Sequence, residues 1–427
     1  MKFRNAFLLT VILAVIAACG QPQSGGQNFD FAENNGSINL PDGFKAVVVA
    51  DSLGYARHIA VDEDGDLYIS LREAKNGSGI VALRDTDGDG VADRKEYFGK
   101  YTGTGIDLHN GYLYFGSDTS VVRYPLEEGE LVPSGEPETI VGGFPIQNQH
   151  ATKSITIDNQ GNLYVNVGAP SNACMEQTRT KGSPGMDPCP QLERQAGIWK
   201  FDANATGQLQ TGPEQRFATG IRNAVALEWN PLNNQLYALQ HGRDQLSQFY
   251  PEMYSAEENA ALPAEEFFLV NEGDNFGWPY AYYDQTRNQK VVAPEYGGDG
   301  ETPVEEGKYE DPIMAFPGHW GPNDLVFYTA EQFPSKYRDG AFIAFHGSWN
   351  RAPLPQQGYN IVYVPFEGDS PSGDYEVFAD GFKGADTLKS PGNAQYRPTG
   401  LGVGPDGSLY VSDSVEGRIW RIVYTGN

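Results

Sequence analysis

The chain has 427 residues, with 30 lysines and arginines against 56 aspartates and glutamates, a formal charge of −26. Gripping a phosphate backbone needs clustered cations, so this balance argues against a nucleic-acid partner; it leaves carboxylates free for hard cations. Abundant glycine (51), tyrosine (24) and phenylalanine (22) supply turns and strand-favouring rings, as in an all-β chain.

Residues 1–18 read as a lipoprotein signal peptide. Lys2 and Arg4 form a basic start, and the apolar stretch that follows is too short for a comfortable membrane span. It ends in Ile16-Ala17-Ala18-Cys19-Gly20, which resembles the bacterial lipobox whose cysteine is lipidated after cleavage. A plain secretory signal with an incidental cysteine is the alternative. Residues 19–37, rich in Gly, Gln and Asn, read as a flexible tether, and residues 38–427 as one domain. The expected location is the bacterial cell envelope, lipid-anchored and facing the periplasm, or outside the cell. The membrane would be met only through the lipid.

A strand is predicted over residues 40–50, and another over 417–424 ends the domain. Between them one phrase returns six times: an apolar strand, a turn, and an aromatic-containing strand. The copies are Ile59–Tyr68, Ile106–Tyr114, Ile155–Tyr164, Ala226–Tyr237, Leu325–Tyr328 with its partner Ala341–Phe345, and Leu401–Tyr410. Each alternates by two, and most turn through Asp-Gly, Asn-Gly or Asn-Asn, as hairpins do. Six copies predict a six-bladed β-propeller, closed by pairing the first strand with the last. A helical insert is expected near 256–268, and inserted loops, including the acidic run 298–311, between 239 and 323.

Asp85-Thr86-Asp87-Gly88-Asp89-Gly90-Val91-Ala92-Asp93-Arg94-Lys95-Glu96 fits an EF-hand-type calcium loop. Asp85, Asp87, Asp89, Val91 (by its carbonyl), Asp93 and Glu96 are the expected metal ligands, in a structural rather than sensory role; an ion-free acidic hairpin is the alternative. With Cys19 set aside for lipid, Cys174 and Cys189 remain as one possible disulfide across a loop, since no other Cys and no His lies near enough in sequence to suggest a metal.

A propeller concentrates chemistry at its channel mouth. The residues leading into the six innermost strands are Arg57-His58, Thr104-Gly105, His150, Arg222-Asn223, His319-Trp320 and Arg397. Singly, each arginine has an ordinary salt-bridging role and each histidine a loop-anchoring one. Their shared register argues for a site, and its cationic donors suit a flat polyanion.

Gly220-Ile-Arg-Asn-Ala-Val-Ala-Leu-Glu-Trp-Asn-Pro231, His241-Gly-Arg-Asp-Gln245, Asn275-Phe-Gly-Trp-Pro279 and His346-Gly-Ser-Trp-Asn-Arg351 together resemble the soluble quinoprotein sugar dehydrogenases, in particular their sorbosone and pyranose dehydrogenase branch. The resemblance spans about Leu40 to Tyr424. It implies a six-bladed propeller that uses pyrroloquinoline quinone (PQQ) and calcium to oxidise a sugar or related polyol by hydride transfer to the quinone. By position, His150 would be the catalytic base. Arg222, with Asn223, would contact the quinone oxygens and stabilise the charge that develops there. Gly242 and Arg243 would hold calcium through their carbonyls, with Asp244 nearby. Arg397 matches one of two cofactor-binding cations; Gln395 stands at the other, so Arg57, His319 and Arg351 are the candidates to replace that contact. Trp320 or Trp349 would stack on the ring. Electrons would pass to an external acceptor, a quinone or a cytochrome, because the chain has no Cys-x-x-Cys-His haem motif. Two alternatives stand beside this: a metal-dependent lactonase-type hydrolase, and a lipid-tethered binding propeller without catalysis.

Overall fold

The computed structural model describes residues 29–426; the expected signal peptide and Cys19 lie outside the described residues. Six blades of four antiparallel strands ring a central axis, the second extended by a short fifth strand, Gln208–Leu209, that pairs parallel with Glu138–Gly142, so the predicted all-β propeller is the fold observed. The innermost strands are Ala56–Val61, Gly103–His109, Ile155–Ile157, Ala226–Asn230, Pro322–Phe327 and Pro398–Val403, which open blades 1 to 6. Each touches the next, and the last touches the first.

The repeated phrase explains why the sheets stack. Successive strand side chains face opposite ways. The Leu of each Leu-Tyr pair therefore packs toward the preceding blade and the Tyr toward the following one. Leu113 lies in the core between blades 1 and 2, whereas Tyr114 lies between blades 2 and 3. Leu163 and Tyr164, then Leu236 and Tyr237, repeat the step around the ring. In blade 5 the pair is Ala341-Phe342, with the same division. Each aromatic ring buries roughly 150–250 Å², so these six positions carry much of the inter-blade adhesion.

The ring is closed as the sequence indicates. Phe44–Ala50 pairs antiparallel with Ile419–Tyr424, in a register running from Phe44 opposite Tyr424 to Val48 opposite Trp420, and becomes the outer strand of blade 6. This covers two edges that would otherwise pair with other chains.

Two boundaries differ from expectation. The tether was expected to reach residue 37, but residues 29–37 pack on the propeller. The Asp30 amide donates to Asp89 O (2.8 Å), and Gly36 O accepts from Arg418 Nη1 (3.1 Å) and Trp420 Nε1 (3.2 Å). Gly36 has φ 66°, and a Cβ there would fall 2.7 Å from Val48 Cγ2, so glycine is required. The helix expected near 256–268 is only Ala256–Ala261, capped by Ser255 and Glu258; Pro263 prevents its continuation, and Glu265–Val270 is the third strand of blade 4. The long interval in blade 4 does hold inserts, including a small hairpin of Ala281–Asp284 with Gln289–Val292.

Candidate active site

In antiparallel blades, the connection into the innermost strand and the connection between second and third strands emerge on the same face. Here those connections surround a cavity of about 320 Å³ at the channel mouth, within the size range of small-molecule sites. From the first class it takes His150, Arg222, His319 and Arg397. From the second, in blades 3, 4 and 5, it takes Arg179, the His241–Asp244 segment, His346 and Trp349.

His150 is fixed by geometry. Its Nδ1 lies 2.7 Å from Ala169 O, and a carbonyl can only accept, so the proton sits on Nδ1 and Nε2 keeps its lone pair. Burial, and then the Arg222 charge, push its pKa from 6.5 down to about 3, so the ring is neutral at ordinary pH. Gly168 makes the approach possible: a Cβ there would meet His150 Cβ at 2.6 Å and Asn223 Oδ1 at 2.5 Å. His150 itself has φ 50°, and four other non-glycine residues at or beside this cavity share the left-handed region: Cys174, Arg179, Gln245 and His319. Such backbone strain gathers where side chains are aimed for function.

Arg222 and Asp244 form the buried ion pair of the cavity. Arg222 Nη2 donates to Asp244 Oδ2 at 2.8 Å, and Arg179 Nη2 reaches the same oxygen at 3.1 Å. Burial pushes the Asp244 carboxyl up, but Arg222, His319 and Arg179 outweigh it and hold it below the usual carboxylate range. Glu265 is the opposite case. Burial raises it to about 8, against two backbone amides, Gly242 N (3.0 Å) and Gly321 N (3.3 Å), that stitch two cavity loops to it.

Arg397 differs from Arg222. Its guanidinium donates to His346 O (3.0 Å) and Gly347 O (2.8 Å) and makes no ion pair among the described residues. It brings uncompensated positive charge to the wall.

Not every expected residue reaches the cavity wall. Asn223 is buried behind it, accepting from Asn166 Nδ2 at 3.2 Å. Arg57 points to Thr104 Oγ1 (3.2 Å), and Arg351 donates to Pro355 O (3.1 Å) and to Ala260 O. These two buried arginines donate to neutral oxygens and sit behind the wall rather than in it. Trp320 packs against Phe345 and Tyr375, so of the two rings it is Trp349 that lines the cavity, 51 % exposed. His241 and His346 were not assigned roles from the sequence. Each stands directly after the second strand of its blade and before a glycine, and that repeated His-Gly was the available signal. His241 Nε2 donates to Pro322 O at 2.7 Å, and His346 Nε2 lies 2.7 Å from Ser414 Oγ.

The donor set fits PQQ. A mouth with an unpaired Arg397, an Arg222 whose Nη1 keeps an N–H beyond its protein partners, and neutral imidazoles suits a flat anion that bears carboxylates. The calcium ligands fit in part. The carbonyls of Gly242 and Arg243 accept no hydrogen bond among the described residues, which leaves them free for a cation. Arg243 turns its side chain from the cavity to a buried pair with Glu295.

Two further expectations can be placed. Cys174 and Cys189 are disulfide-bonded, with Cα atoms 6.2 Å apart. In the acidic loop, Asp85, Asp87 and Asp89 bring ligand oxygens within 4.8 Å of one another. Asp93 and Glu96 do not join them: Asp93 accepts from Thr86 (2.6 and 2.7 Å), and Glu96 pairs with Arg94 within the outer strand of blade 1. Glu96 side-chain direction is set by the strand pleat, whereas an EF-hand sets it by a helix.

The family model described as TrAA12-like matches residues 38–425. A PQQ-dependent pyranose dehydrogenase of Coprinopsis cinerea is 24% identical over 421 residues, covering 90% of this chain and 54% of its own length, so the chain spans about half of that relative. An uncharacterized protein of Borreliella burgdorferi is 27% identical over 409 residues, covering 92% of each chain. Among solved structures, the holo PQQ domain of the Coprinopsis cinerea pyranose dehydrogenase superposes with a TM-score of 0.68 at 20% identity (90% of this chain, 97% of that one). The calcium structure of a Trichoderma reesei carbohydrate-active enzyme of family AA12 superposes at 0.72 with 19% identity (91% and 97%).

Proposed function

Because this chain belongs to the TrAA12-like family, we propose that it is a PQQ-dependent oxidoreductase that oxidises a hydroxyl of a sugar or related polyol. One observation carries the reading: His150, with its Nε2 lone pair free, shares a single cavity with Arg222 and Arg397. PQQ, when bound, supplies a two-electron acceptor bearing carboxylates. His150 Nε2 accepts the proton of the substrate hydroxyl, and Ala169 O holds the ring for it. Arg222 and Arg397 hold anionic oxygens. Gly242 and Arg243 offer carbonyls to calcium. Trp349 presents a ring face at the mouth, and the named Coprinopsis relatives make a pyranose the favoured substrate class.

The hydrolase alternative is weaker. It needs inward carboxylates around an ion, and of the two that line this cavity Asp244 is taken by Arg222 and Arg179 while Glu265 is engaged by backbone amides.

The test is dye-coupled oxidation of a sugar panel by the protein loaded with PQQ and calcium. Sugar-dependent dye reduction supports the proposal, and its absence with every sugar overturns it.

We further propose that Cys19 carries lipid, that the domain works on the periplasmic face or outside the cell, and that electrons leave to a separate quinone or cytochrome. Release of the protein from membranes by Cys19→Ala tests the first. The Asp85–Asp87–Asp89 loop, on the face opposite the cavity, is proposed to take a structural calcium ion.

A further inference from the structure

We propose that Asn172 is the positioning residue that aims the Arg222–Asp244 pair into the cavity. It rests on the quinone-pocket reading for its consequence, but not for its geometry. Asn172 is fully buried and does not line the cavity. Its Oδ1 accepts from Arg222 Nη2 (3.0 Å) and from the Asp244 amide (2.9 Å), while its Nδ2 donates to Asp244 O (2.9 Å). Its own carbonyl accepts from Arg222 Nε (3.2 Å) and from Trp278 Nε1 (3.1 Å).

One residue thus joins segments 50, 72 and 106 positions away in sequence. It fixes two edges of the Arg222 fork, so the plane of the guanidinium is set before any ligand arrives. The other constraints on that fork are Asp244 and, on Nη1, His241 O (3.4 Å), and Asn172 holds the backbone of Asp244 on both its N–H and its C=O. Pre-set donors of this kind are worth more than flexible ones, because no reorganisation accompanies binding.

Only an amide satisfies the three side-chain contacts. An aliphatic side chain would orphan a buried guanidinium N–H and two backbone groups. A carboxylate would keep both acceptor contacts, lose the donor, and add a second negative charge beside Arg222. The supporting chain is short: Ala169, three residues upstream, holds His150 and Arg222, and Cys174, two residues downstream, is cross-linked to Cys189.

The experiment uses the whole chain and two variants, Asn172→Ala and Asn172→Asp. Amide hydrogen exchange at Asp244 is read without cofactor, and PQQ affinity is read by titration with calcium present. For Asn172→Ala, exchange at Asp244 rises at least about tenfold while the Ala341–Phe345 strand is unchanged, and PQQ binds about tenfold or more weakly. For Asn172→Asp, Asp244 stays protected but PQQ still binds about tenfold more weakly, because charge rather than order is altered. Asn172→Ala with both readouts unchanged overturns the proposal. Faster exchange with unchanged PQQ affinity also overturns it, since that is a merely structural role. If Asn172→Ala does not fold, unchanged PQQ affinity in Asn172→Asp overturns it. If the wild-type chain binds no PQQ, the functional reading falls and the exchange at Asp244 alone decides whether the clamp exists.

Discussion

The Nδ1–H of His150 donates to the carbonyl of Ala169 over 2.7 Å, and the amide of the same Ala169 donates to Arg222 O, also over 2.7 Å. The two central groups of the cavity are therefore referenced to one residue, through the two peptide units that flank its Cα. The imidazole is held in one tautomer, and the cation that adds to burial in keeping it neutral is held beside it.

His150→Gln is expected to lower turnover by about 10²–10⁴-fold while leaving the melting temperature nearly unchanged. Glutamine can retain a polar side chain but not a basic nitrogen. Stopped-flow measurement of sugar oxidation, alongside a thermal melt, checks both halves.

The pH profile should be shifted toward acid. A base works only when deprotonated. Burial, aided by Arg222, places the His150 pKa near 3 rather than 6.5. The acid limb of kcat/KM is expected well below pH 5, and a limb near 6.5 would show that His150 is not the base.

Stability should peak under mildly acid conditions. Burial, in both with nearby arginine charge, lowers His150 to about 3 and His241 to about 4. Their contribution is present above about 6.5 and is lost as pH falls through the folded values. The channel carboxyls behave oppositely. Burial raises Asp107 to about 7, Asp324 to about 8, and Glu228 well above the usual range. Their contribution is present below about 4 and is lost as pH rises toward 7–8. Glu228→Gln, which sacrifices no side-chain hydrogen bond among the described residues, is expected to gain stability at pH 8 relative to wild type and little at pH 4. Thermal melts across that range decide it.

Reducing the Cys174–Cys189 bond should destabilise the folded chain. The bond closes a loop across a separation of 15 residues, for which about 3 kcal/mol is expected. Denaturant melts with and without reductant measure it, and coincident curves contradict it.

The fold was legible because its signal repeats. A leucine facing one blade and a tyrosine facing the next recur in five blades, with Ala341-Phe342 in the fifth blade, and period two is all that is needed to read them. The residues opening each innermost strand were legible by the same register, which yielded His150, Arg222, His319 and Arg397. The second ring of loops was not. The resemblance placed Asp244 beside the expected calcium carbonyls, but His241, His346 and Arg179 arrive on connections between second and third strands that vary in length and share only the His-Gly that follows the second strand in blades 4 and 5. Arg57 and Arg351 show the complementary limit. Register gave Arg57, and the resemblance gave Arg351, a place near the mouth, but side-chain direction, toward Thr104 and toward Pro355, is settled by packing. The helix that stops at Ala261 shows how one proline overrides an otherwise continuous pattern.

The most direct measurement is calorimetric titration of PQQ into the apo-protein with calcium, for wild type and for the Arg222→Ala, Arg397→Ala double variant. The account predicts one site per chain in the wild type and its loss, by at least about a hundredfold in affinity, in a folded double variant. Equal binding by the two proteins, or none by the wild type, would contradict it.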